Sequence, residues 1–138
     1  MPIVLTLTDG VLPKEQQHKA VKQITDAFLK HHGLAGNAVM TPNVTSHLVI
    51  LPEGHTFAGG EAIRGAWIET KTPSFALADE AQQRAFFGEA TQILHDLSEG
   101  VLPKSQIWSD GLHAVDGTWN LNGKAVTNAE LGQAIAAG

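Results

Sequence analysis

The feature that most restricts this chain is a helix-bearing segment that occurs twice. Residues 14–32 and residues 79–98 both place apolar side chains at helical spacing, and Gly33 is a natural stop for the first. At an offset of 66, Gln16-Gln17 falls on Gln82-Gln83. Ala20, Val21, Ile24, Ala27 and Phe28 then fall on Phe86, Phe87, Ala90, Ile93 and Leu94, so every apolar position meets an apolar one. β-Rich runs flank both helices: residues 3–8 and 44–51 around the first, 65–70 and 106–112 around the second. Residues 71–78 read as a loop. Hairpins follow at 55–62, which carries Gly59-Gly60, and at Asn122-Gly123. These later segments align at an offset of 63, with Gly54 on Gly117 and Gly60 on Gly123.

A duplicated β-α-β unit follows, one domain built from residues 1–62 and 63–138. A strand, a long helix and a second strand imply a right-handed crossover with parallel pairing. The expected architecture is α+β, a four-stranded sheet with two helices on one face. Leu48 to Leu51 are apolar on both faces, as in a strand buried inside a sheet. The other face of the sheet is expected to be uncovered and apolar, which calls for burial against further copies of the chain.

Composition excludes several classes of function. The net charge is -5 and the nine Lys and Arg residues are scattered, so there is no basic footprint for nucleic acid. No apolar run reaches the length of a membrane span. The first residues lack the pattern of a secretory signal, so the cytoplasm is the expected compartment. With no cysteine, thiolate metal sites and a cysteine nucleophile are ruled out. Seven histidines form no ligand pair on a helix face, so neither a metal nor a cofactor is expected. Asp110 and Asp116 are the carboxylates considered for orienting a water, and Asp116-Gly117 also reads as a turn.

The chemistry is expected at Pro2. Residue 2 is small, so Met1 is expected to be removed, leaving the Pro2 nitrogen as a secondary amine. Free α-amino groups titrate near 7.7–8.0, and an apolar setting lowers that value by penalising the charged form. Ile3, Val4 and Leu5 would supply such a setting. A neutral amine near pH 7 is a competent general base. If Met1 stays, the same nitrogen is an amide and cannot accept a proton.

Several short segments, in this order, resemble the 4-oxalocrotonate tautomerase family. They are Pro2-Ile3-Val4 opening a strand, Asp9-Gly10 closing it, the Glu15-Gln16 helix start, and the stretch from Gly54 through His55, Thr56, Phe57, Ala58, Gly59 and Gly60 to Glu61. The doubled length is similar to the fused members of that superfamily. Ile24-Thr25-Asp26-Ala27 and Ile107-Trp108 resemble the cis-3-chloroacrylic acid dehalogenase group, and Trp119 with Gly123 the malonate semialdehyde decarboxylase group. The resemblance covers nearly the whole chain. It implies the tautomerase fold, a homotrimer, Pro2 at the base of each pocket and a small-molecule substrate.

Departures from the family pattern shape the expected site. Where the family places arginines, this chain has Val11 or Leu12, Thr45, and the single cation of Thr70-Lys71-Thr72. Only Arg64 and Arg84 occur in the whole chain. An arginine fork grips a carboxylate by two bonds whereas lysine is a point charge, so a monoanion or neutral carbonyl compound suits the site better than a dianion. Lys71 and Arg64 are the candidate cationic contacts, Phe57 matches a hairpin phenylalanine of the family, and Asp110 and His113 are further candidate lining residues. The second unit has no free amine at its first strand, so one site per chain is expected. The favoured activity is keto–enol tautomerisation. The alternatives are a cofactor-independent hydratase, dehalogenase or decarboxylase with Pro2 as acid, and a non-catalytic oligomeric module.

Overall fold

Helices α1 (Lys14–His31) and α2 (Glu80–Leu97) start and stop 66 residues apart, so the repeat legible in the sequence is kept to the residue at both ends. The computed structural model describes residues 1–138. Each helix is bracketed by strands: β1 (Ile3–Thr8) and β2 (Ser46–Leu51) for α1, β5 (Ala66–Pro73) and β6 (Ile107–Ala114) for α2. Short hairpins follow each second strand, β3 (Phe57–Ala58) with β4 (Glu61–Ala62), and β7 (Trp119–Leu121) with β8 (Lys124–Val126). The chain ends in α3 (Asn128–Ala136).

One four-stranded sheet runs in the order β2-β1-β5-β6. β1 and β2 are parallel, as are β5 and β6, and the two halves join through an antiparallel β1–β5 ladder. In that ladder Leu5 faces Ile68, with Ile3 facing Thr70 on one side and Leu7 facing Ala66 on the other. An approximate two-fold axis therefore passes between Leu5 and Ile68.

Both helices pack on one face. Ala20, Ile24, Ala27 and Phe28 of α1 and Phe86, Ala90 and Leu94 of α2 are buried against Ile3, Leu5, Leu7 and Ile68. Phe28 and Phe86 meet edge-on at 5.3 Å between ring centroids, a geometry that ring quadrupoles favour. The helix starts differ. The Asp79 carboxylate accepts the Gln82 N–H at 2.8 Å, while α1 follows Pro13 and has no side-chain cap.

The expected α+β architecture, with its four-stranded sheet and two helices on one face, is present, and four details differ. α3 is an additional helix, begun by a capping box in which Thr127 accepts from Glu130 N–H and the Glu130 carboxylate accepts from Thr127 N–H. Asn37 Nδ2 donates to Ile135 O at 3.0 Å and ties α3 to the loop after α1. β5 continues through Lys71 to Pro73, because Lys71 N–H finds an acceptor in Pro2 O at 3.1 Å and the strand keeps its partner β6. Lys71 thus stands on a strand and not in a loop. β2 is an edge strand; its two apolar sides arise because one faces the helices and the other the open face of the sheet. Finally, the ladders pair Ile3 with Ser46 and Ala66 with Ile107, so β2 and β6 correspond at an offset of 61 and not 63. A slip of two preserves the face of each side chain, since the pleat has period two.

The open face is apolar only in part. Val49, Phe57, Trp108 and Leu112 are exposed, Leu112 to 62%, while Glu69, Lys71 and Asp110 bring charge to one end.

Candidate functional site

Side chains alternate across each strand, so the ladder registers sort the open face into rows. One row sets Pro2 beside Lys71 and Leu112; the next sets His47, Val4, Glu69 and Asp110 side by side; a third holds Val49, Thr6, Trp67 and Trp108. The first two rows enclose an open depression of about 360 Å³ lined by Pro2, Val4, His47, Glu69, Lys71, Asp110 and Leu112. That volume is at the lower end of what small-molecule sites occupy.

Of the residues named from the sequence, Pro2, Lys71 and Asp110 come together here. The others lie elsewhere. Arg64 precedes β5 at the opposite end of the sheet, where its Nε donates to Glu53 Oε1 at 2.8 Å in an ion pair. From Lys71 that is roughly 20 Å along the strand at 3.3 Å per residue. Phe57 stands on the hairpin beside Trp67 and Trp108. His113 pairs with Thr72 on the helix-bearing face, one position out of phase with Leu112, and its Nε2 lies 2.9 Å from Ala76 O. Asp116 accepts the N–H of Asn128 at 2.7 Å at the start of α3. Among the titratable lining residues, Glu69 and His47 escaped the sequence reading. Parity was the available signal: Glu69 is two residues from Lys71 and shares its face once β5 is allowed to run past Thr70.

The charges in the depression are unpaired. Neither Glu69, Lys71 nor Asp110 takes part in the ion pairs of the chain, which join Lys22 to Asp26, Lys30 and His31 to Glu89, Arg64 to Glu53 and Arg84 to Glu80. Glu69 and Asp110 are direct neighbours across the β5–β6 ladder, an arrangement that like charges disfavour.

The chain end lies at the edge of this depression. The Met1 side chain is only 2% exposed and belongs to the core. Met1 O accepts from Thr45 N–H at 3.2 Å, and its α-amine donates to Asn43 O at 2.5 Å. Burial lowers that amine to about 5. With Met1 attached, the Pro2 nitrogen is an amide. No group of three or more His, Asp or Glu side chains is gathered as a metal would need.

The approximate two-fold gives this site a counterpart. It carries Pro2 onto Gly65 and Lys71 onto Thr8, and the matching bond, Thr8 N–H to Gly65 O at 3.1 Å, is present. At that end Thr8 is buried beneath the β3–β4 hairpin and hydrogen-bonds Thr56 at 2.8 Å. Trp67 and Trp108 stack at 5.3 Å and leave no room beside Gly65, where a Cβ would lie 2.9 Å from Trp108 Cζ3 and 3.0 Å from Trp67 Cη2.

No protein-family model matches the chain, and no curated protein matches it in sequence. Its fold is nevertheless shared by solved structures. A member of the cis-3-chloroacrylic acid dehalogenase family superposes with a TM-score of 0.76 at 15% identity, over 96% of this chain and 90% of that one. A wild-type fused 4-OT (4-oxalocrotonate tautomerase), described as an asymmetric trimer, gives 0.75 at 15% identity over 96% and 99%. A malonate semialdehyde decarboxylase inhibited by 3-bromopropiolate gives 0.70 at 14% identity over 96% and 97%. At these identities the likeness is one of fold.

Proposed function

We propose that this chain is a cytoplasmic keto–enol tautomerase that works as a homotrimer, with Pro2 as its general base once Met1 is removed. The observation that carries this reading is the position of Pro2: it heads β1, at the chain end, and lines a depression whose other walls supply Lys71, Glu69 and Asp110. Excision of Met1 turns the amide nitrogen into a secondary amine. The neutral amine removes a proton from the carbon beside a carbonyl, or from an enol hydroxyl, and returns one at the other position. Lys71 stabilises the oxygen charge that develops between the two steps.

The trimer reading rests on the exposed Val49, Trp108 and Leu112 of the open face, which burial against further copies would cover, and on the trimeric fused 4-OT of the same fold. A second reading, a hydratase or dehalogenase, draws on Asp110. Its carboxylate lines the same depression and could activate a water while a protonated Pro2 acts as acid.

Intact-mass measurement of the protein from its native host, paired with the rate of phenylpyruvate enol-to-keto conversion, tests the first reading. Loss of Met1 together with turnover that falls about 10²-fold or more in Pro2→Ala is the expected result. Retained Met1, or turnover indifferent to Pro2→Ala, refutes it. Release of halide from a 3-haloacrylate, lost in Asp110→Asn, would favour the second reading.

A further inference from the structure

The charge inventory of the Pro2 depression points to its substrate, an inference that rests on the tautomerase reading and narrows it. The depression holds two carboxylates, Glu69 and Asp110, against one cation, Lys71. His47 is the remaining titratable side chain of the lining. Both arginines are engaged, Arg64 with Glu53 and Arg84 with Glu80, and Lys22 and Lys30 are likewise paired. In the single chain Lys71 is the one Lys or Arg side chain lining the depression, and an anion entering there meets two carboxylates against one ammonium.

The arrangement within the depression is equally directional. Lys71 shares a row with Pro2, so the cation stands beside the proposed base, where negative charge develops on a carbonyl oxygen. Glu69 and Asp110 occupy the next row, one strand spacing (about 4.8 Å) from each other and two residues (roughly 7 Å) along the strands from the first row. Adjacent carboxylates without a counter-ion repel each other, and a cation lying between them relieves that repulsion while accepting their hydrogen bonds. Leu112 and Val4 fill the remaining wall with apolar surface suited to a short carbon chain.

We propose that the substrate is a small carbonyl compound bearing an ammonium group, its carbonyl oxygen at Lys71 and its cation at Glu69 and Asp110. A dicarboxylate is the substrate class this wall rejects. The carbon that loses its proton to Pro2 lies beside the carbonyl, so binding by charge and removal of the proton use different groups of the same molecule.

Three probes of nearly equal size separate charge from shape: aminoacetone as the cation, hydroxyacetone as the neutral form and pyruvate as the anion. Each has a methyl group beside a carbonyl, and its exchange with deuterium in heavy water is read by proton NMR. Binding is read separately through Trp67, which shares an adjoining depression with Glu69. The expected order of kcat/KM and of affinity is aminoacetone, hydroxyacetone, pyruvate, with roughly tenfold between the first and last. The double variant Glu69→Gln, Asp110→Asn should erase or reverse that order. Exchange of all three at equal efficiency, or pyruvate leading, overturns the charge assignment and leaves the base assignment standing. The expected binding order without exchange of any probe overturns the base assignment and leaves the charge assignment standing. No binding of aminoacetone in the millimolar range overturns the charge assignment as well.

Discussion

The two ends of the open face are built from equivalent positions and have become opposites. At one end Pro2, Val4 and His47 border a depression with three unpaired charges. At the other, the equivalent Gly65, Trp67 and Trp108 close the space with two stacked indoles. The same ladder bond stands in both places, Lys71 N–H to Pro2 O and Thr8 N–H to Gly65 O, each 3.1 Å. A sheet can thus repeat its backbone and still differ by side chain: one end is left open and lined with charge, and the other is filled by packing. The asymmetry has a covalent origin too. If Met1 is removed, as proposed, the first unit alone carries a free backbone amine.

The sharpest way to break the comparison is to block the proposed Pro2 base. Extending the chain by one residue ahead of Pro2 keeps its nitrogen an amide, and turnover should fall about 10²- to 10⁴-fold. A kinetic assay with no change in circular dichroism would attribute the loss to the amine.

Excision of Met1 comes next in size. Its side chain is a core residue, so the processed chain gives up its burial and should be less stable by about 2 kcal/mol in urea unfolding. The unprocessed chain should also show its own pH dependence. Its α-amine titrates near 5 when folded and near 8 when unfolded. Between those values the unfolded chain binds the extra proton, so this amine's contribution to stability rises with pH from about 5 to about 8 and is flat outside that window. A melting series on both forms checks the sign; an unprocessed chain that loses stability over that range would contradict the burial of its amine.

At the filled end, Gly65→Ala forces a methyl group into the indole pair and should cost about 1–3 kcal/mol, while exchange at the Pro2 end is retained per folded molecule. The smallest effect separates the two helix starts. Asp79→Ala removes a cap bond from α2 and should cost about 1 kcal/mol, read by thermal unfolding; α1 has no such bond to lose.

Much of this was legible in the sequence for a local reason. Helical period and cap chemistry act over a few residues, so 14–31 and 80–97 declared themselves and their offset. The hairpin at Asn122-Gly123 did the same, both residues taking the positive φ that its tight turn requires. Even the pentapeptide shared by residues 10–14 and 100–104, out of register with the repeat, keeps a local likeness: both glycines adopt positive φ and both Leu12 and Leu102 are buried. α3 was missed because its nine residues carry one buried apolar anchor, Leu131, too few to show a period.

The candidate site was legible at Pro2, Lys71 and Asp110 and obscure elsewhere. Sequence pattern by itself determined the duplicated unit, the α+β architecture and the choice of Pro2 as candidate base, since each follows from local period, turn chemistry or residue type. The tertiary structure alone decided which charges share that position's depression. Which strands neighbour β5, and in what register, depends on how two distant units meet, and a shift of one residue there would have sent Glu69 and Lys71 to the helix-bearing face and left His113 facing Pro2.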